Sequence, residues 1–196
     1  MKLLDQVVGI LNNRLKTTVL KENVFSGGNF FGLAYTTQDP DNPILRPYVW
    51  DNNNILDASI DDSYPFNIYH KCNSISFKDG VQIQSWGDGD SRFQMICEMN
   101  AIVFADREKT NYSQEDLIMK ISSGLNYTFT VNDLMGGGID KIKSTTLRAN
   151  NNSLSVFQGE YGSNTNYPLQ ISSVYFGITY QLEITADINC LQCQNC

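Results

Sequence analysis

Histidine is almost missing from this chain of 196 residues; His70 is the one copy. Any Ser–His or Cys–His catalyst would have to be built on it. Basic residues are also scarce: 14 Lys and Arg stand against 21 acidic residues, for a net charge of −7. They form no cluster. Sequence-independent grip on nucleic acid requires clustered cations that displace counterions, so a DNA- or RNA-binding role is disfavoured. An acidic surface instead repels DNA that passes it. Long apolar runs are lacking, and nothing approaches the ~20 residues that span a bilayer as a helix. No secretory pattern is expected in "MKLLDQVVGILNNRLK", because Asp5 interrupts the apolar run and no small-residue cleavage site follows. The expected location is the cytoplasm or a particle assembled there, with reduced thiols.

Charged residues make up only 18% of the chain, against about 25% in an average domain. Asn, Ser, Thr and Gln supply the polar surface instead. Hydrophobic residues reach 41%, enough for a substantial core, and the length favours one domain.

Cysteine is unevenly placed: three of the five, Cys190, Cys193 and Cys196, fall in "CLQCQNC". A closed zinc site needs four ligands, usually from two paired knuckles. Iron–sulfur runs of this spacing normally carry a fourth cysteine and a nearby proline. Cys72 and Cys97 are separated in sequence and make no second knuckle. The expectation is an unligated tail, with no metal and no cofactor.

Periodicity outlines the fold. Leu4, Val7, Val8, Leu11 and Leu15 form one stripe of a helix over 2–15, with Asp5, Gln6, Asn12 and Arg14 off it. Residues 21–70 are dense in Gly, Pro, Asn and Asp and predict a loop-rich insertion with short strands, packed by Phe30, Phe31, Tyr35, Tyr48 and Trp50. "NSISFKDGVQIQSW" predicts a hairpin with a three-residue loop at 78–80, pairing Phe77 with Val81 and Ile75 with Ile83. A strand over 92–104 points Phe93, Met95, Cys97, Met99, Ala101 and Val103 to one face. Ser113 and Asp116 form a capping box for a helix over 114–123, with Leu117, Ile118 and Ile121 as its stripe and Gly124 as its C-cap. Short strands are expected at "YTFTV" and "SLSVFQ", with a loop at "MGGGID". The clearest alternation runs from Val174 to Cys190; at ~3.3 Å per residue it is roughly 50 Å long, so it should bend at Gly177 or reach beyond its own domain. The fold class is α+β: one domain over 1–196, with a mainly antiparallel sheet of long strands packed by an N-terminal helix and one central helix.

No catalytic constellation emerges. His70 and Cys72 share a strand face but lack an orienting acid. Asp88 and Asp90 in "GDGDS" lack the remaining ligands of a calcium loop. Gly136–Gly138 lack the Lys-Ser/Thr of a phosphate loop.

The order of elements carries a resemblance. An N-terminal helix precedes loops and a hairpin, the long strand and capped helix follow in "EMNAIVFADREKTNYSQEDLIMKI", and "YFGITYQLEITADI" ends the pattern. This resembles the head–tail connector, tail-completion and tail-terminator proteins of tailed bacteriophages. It implies a virion structural protein of the neck or tail, not an enzyme. Its partners would be identical subunits in a closed ring, with portal and tail proteins on either side. DNA would pass through without specific binding, past acidic residues such as Asp61 and Asp62 or Asp88 and Asp90, and no membrane would be involved. The alternative is a surface glycan-binding or adhesive β-rich module using exposed aromatics of residues 25–70; a weaker third reading is a small hydrolase using His70.

Overall fold

A computed structural model describes residues 3–22, 25, 27–39, 42–51, 54–58, 63–78, 92–130, 138–161 and 173–187. The elements are α1 (Leu3–Arg14) with a π-helical turn (Leu15–Val19), β1 (Asn29–Asp39), β2 (Asn42–Asp51), β3 (Asn54–Asp57), β4 (Phe66–Phe77), β5 (Arg92–Asp106), α2 (Arg107–Thr110), α3 (Gln114–Leu125), β6 (Tyr127–Phe129), β7 (Ile139–Asn150), α4 (Ser153–Tyr161) and β8 (Ser173–Asp187). The strands form one sheet in the order β3-β2-β1-β4-β5-β8-β7-β6. Every neighbouring pair is antiparallel except β1 and β4. The molecule is thus an α+β fold with a mainly antiparallel sheet, as its periodicity predicts.

The helical stripes bury as expected. Val7, Val8, Leu11 and Leu15 are buried on α1 and its continuation, and Leu117, Ile121 and Leu125 on α3. Residues three and four apart share a face, so these side chains meet the sheet together. Asn12, expected off the stripe, is buried with it. Ser113 caps α3, accepting from the Asp116 backbone N–H at 3.1 Å while its hydroxyl donates to the Asp116 carboxylate at 2.8 Å. The glycine cap is corrected: α3 runs to Leu125 and its C-cap is Asn126. Gly124 lies inside the helix, where an added Cβ would stand 2.5 Å from Leu15 Cδ2 and 2.8 Å from Val19 Cγ2. Its small size is required by the close crossing of α3 and the π-helical turn.

β5 and β8 form the centre of the sheet. They pair without a register break from Arg92↔Asp187 to Asp106↔Ser173. Met95, Cys97, Met99, Ala101 and Val103 of β5 face α1 and α3 with Phe176, Ile178, Tyr180, Leu182 and Ile184 of β8. That is the phase the alternation predicts. Gly177, where the strand is expected to bend, pairs with Ile102 in continuous register. An added Cβ there would lie 3.5 Å from Ile102 Cδ1 and 4.0 Å from Val156 Cγ2, ordinary van der Waals contact, so α4 does not require a glycine at this position.

Three segments differ from their expected form. Within 21–70 the chain makes strands of 11 and 10 residues, β1 and β2, rather than short strands between loops. Turn-forming residues there are offset by cross-strand pairing and by inward packing of Phe25 and Phe66, whose rings meet edge to face at 5.6 Å. "SLSVFQ" is helix α4, not a strand. Asn152 Oδ1 accepts from the Ser155 N–H at 3.0 Å, and Val156, Phe157 and Glu160 bury on one helical face. A short apolar run does not by itself distinguish strand from helix. β7 has no strong apolar alternation to mark it in the sequence; it is held between β8 and β6. The predicted turn at Asp79-Gly80 and its partner strand lie outside the described residues; Ile75 pairs with Cys97 and Phe77 with Met95.

The two sheet faces bury separate clusters. One holds α1, α3 and most of the core. The other is smaller: Val156 and Phe157 of α4 cover Tyr69, Ile102, Phe104 and Tyr175. No helix among the described residues is long and apolar enough to cross a membrane.

Candidate functional site

His70 lies on the helix-covered face of β4 and is fully buried. Asn12 reaches it from α1, and Tyr180 reaches it from β8 across β5. Ala101, paired with His70, leaves room above β5 for that approach. Asn12 Nδ2 donates to the Phe31 carbonyl at 2.6 Å, which turns Asn12 Oδ1 toward His70 Nε2 at 2.9 Å. Nε2 must therefore carry the proton, and Nδ1 accepts from the Tyr180 hydroxyl at 2.8 Å. Burial lowers the His70 pKa to about 3 and raises that of Tyr180. The triad is a neutral, fully satisfied polar bridge tying α1, β1, β4 and β8 together. With both ring nitrogens engaged and no solvent access, His70 has no free nitrogen to activate Cys72. The feature that marks Asn12 in the sequence is its position one residue after Leu11, on the edge of the apolar stripe.

Beyond His70, β4 changes character. Its pairing with β1 involves Asn29↔Asn67, Phe30↔Ile68 and Leu33↔His70 and stops there. β1 then turns to β2 through Ala34↔Val49. Among the described residues, 71–77 of β4 pair only with β5 and leave the other edge open. A register shift between Cys72 and Ser74 inserts Asn73. The bulge changes the side-chain phase: even residues face the helices through Cys72, and odd residues follow. Ile75 and Phe77 thus continue the helix-side face past the core. Each is 50% exposed, and Phe77 packs on Phe93 with ring centroids 6.2 Å apart. On the opposite face Asn73 bridges Glu98 and Asn100 at 3.5 and 3.4 Å.

The opposite face also carries a recess lined by Asn67, Tyr69, Phe104, Phe157, Glu160 and Tyr175. Glu160 accepts from the Tyr69 hydroxyl at 3.0 Å and from Lys71 Nζ at 2.9 Å. These bonds fasten α4 to β4 and satisfy the buried carboxylate.

The sequence-selected groups do not converge on one site. Cys72 and Cys97 lie at diagonal positions on the helix-side face of β4 and β5, while Cys190, Cys193 and Cys196 lie outside the described residues. So do Asp61, Asp62, Asp88, Asp90, Gly136 and Gly137; Gly138 is at φ 76° beside β7. Among the described residues no group of three or more His, Cys, Asp or Glu side chains is placed to hold a metal ion. No protein-family model matches the chain, and no curated protein is similar to it.

Proposed function

We propose that the chain is a structural subunit of a phage neck or tail, in which identical copies join into a closed ring. The observation that carries the reading is residues 71–77: among the described residues they pair only with β5 and leave one strand edge open, with Ile75 and Phe77 exposed. An open edge presents unpaired backbone donors and acceptors, and exposed apolar side chains beside it offer a second source of affinity. A strand from the next copy would occupy both. Repeated head to tail, such a contact closes a ring when its rotation permits. The net charge of −7 supports passage of DNA without adhesion. Portal-side and tail-side proteins would flank the ring.

Reconstitution with neighbouring neck and tail proteins, imaged as assembled particles, tests this reading. Rings containing this chain, lost in Phe77→Asp although that variant melts like the parent, are the expected result. Particles in which the chain is an isolated monomer, with residues 71–77 facing only solvent, would refute it.

A further inference from the structure

β7 repeats, on the other side of the sheet, the break seen in β4. β6 pairs only with Ile142, Lys143 and Ser144 of β7. Among the described residues, 145–150 of β7 therefore pair only with β8, and Leu147 to Asn150 are exposed. Leu147, like Ile75 and Phe77, is half-exposed. β3 and β6, which end the sheet, offer only four and three residues each. Residues 71–77 and 145–150 are close in length, and their open edges face opposite ends of the strand order. Their directions also match. β4 and β5, β5 and β8, and β8 and β7 are each antiparallel, so β4 and β7 run in opposite directions. A copy set beside another in the same sheet orientation therefore brings its β7 antiparallel to β4.

We propose that residues 145–150 of one copy pair antiparallel with residues 71–77 of the next, continuing the sheet across the subunit boundary. This inference rests on the ring reading and names the second surface of its contact. β1 bounds one edge at His70 and β6 bounds the other at Ser144. Setting Ser76 opposite Thr145 uses nearly the whole of both edges and ends with Lys71 opposite Asn150. This register keeps the faces in phase. Ile75 and Thr146 share the helix-side face, because their partners Cys97 and Tyr180 both belong to that core. Ser76 and Thr145 then share the face of α4. Asn73 and Leu147 each shift the phase of their own strand by one residue. Beyond them Cys72 and Ala149 again fall on one face, since Met99 and Ile178 are both helix-side. The pairing satisfies backbone donors and acceptors on both strands. α3 lies over β7, with Thr146 Oγ1 donating to the Ser122 carbonyl at 3.0 Å. Met119, one helical turn before Ser122, is exposed, and it would supply an apolar neighbour for Ile75 and Phe77 of the adjoining copy. Because the two surfaces differ, the contact is head to tail and can close a ring, whereas a self-complementary contact would stop at a dimer.

The test places Ser76→Cys and Thr145→Cys together in the full chain, reconstituted with the neighbouring neck and tail proteins. Within one copy these positions are three strand spacings apart, at least roughly 14 Å, beyond the reach of a disulfide. Only neighbouring copies can therefore link through them. Mild oxidation of the assembled particles should give a ladder of covalent oligomers on a non-reducing gel, and peptide mass spectrometry should locate the link between positions 76 and 145. Neither single variant nor the parent should give that ladder. Leu147→Asp, melting like the parent, should abolish rings, whereas Leu56→Asp on β3 should leave them. Imaged rings without the ladder, or with a link through position 76 alone that stops at dimers, would overturn this pairing and leave the ring standing. Particles in which the parent chain forms no ring would refute the ring reading and this pairing with it.

Discussion

The two halves of β4 show what a neighbouring strand does to the same backbone. Residues 66–70 lie between β1 and β5 under α1, and all five are buried. Residues 73–77 remain paired with β5 but have lost β1, and all five are exposed. Composition does not separate the halves: Phe66 and Ile68 have counterparts in Phe77 and Ile75. A strand with two neighbours and a helical roof makes apolar side chains into core. A strand with one neighbour and no roof makes the same side chains into available surface.

Charge insertion should give the largest contrast between the halves. Ile68→Asp places an unpaired carboxylate at a fully buried position and should cost about 3 kcal/mol or more. Ile75→Asp, at a position 50% exposed, should change stability by less than about 0.5 kcal/mol. Urea denaturation measures both, and equal losses would erase the proposed distinction.

The boundary residue His70 sharpens the comparison through pH. Its pKa is lowered from 6.5 to about 3 by burial. The unfolded chain therefore takes up a proton below pH 6.5 that the folded chain refuses. This contribution to stability is intact above pH 6.5 and is lost as pH falls toward about 3. Between pH 6 and 5, above the usual carboxylate range, the slope should approach ~1.4 kcal/mol per pH unit. His70→Gln removes the titrating group. A slope in that interval that survives the substitution would show that His70 is not its source.

Lys71, the next residue, should produce a smaller effect than the charge buried at Ile68. It reaches to the other face and binds Glu160 at 2.9 Å, with side chains 22% and 11% exposed. Lys71→Met should cost about 1 kcal/mol, and added salt should reduce the difference because the pair is partly solvated. A loss as large as that of Ile68→Asp would mean that α4 depends on this pair rather than on Phe157 and Val156.

The chain's local chemistry determined much of the frame: the buried stripes of α1 and α3, the Ser113 cap, and the inward phases of β5 and β8. Each follows from interactions a few residues long, whose periodicity is visible along one chain. It did not distinguish α4 from a strand, because "SLSVFQ" spans too few residues for its period to decide. β7 stayed hidden because its polar residues are held by β8 and β6 rather than by their own propensity. Only tertiary structure decided the candidate sites. Asn12, His70 and Tyr180 meet because packing of α1 on the sheet brings Asn12 to the face that β4 and β8 share. Among the described residues, the edge at 71–77 is open because β1 leaves β4 after His70. A side chain's residue type travels with the sequence, but whether it becomes core, partner or surface depends on which distant segment lies beside it.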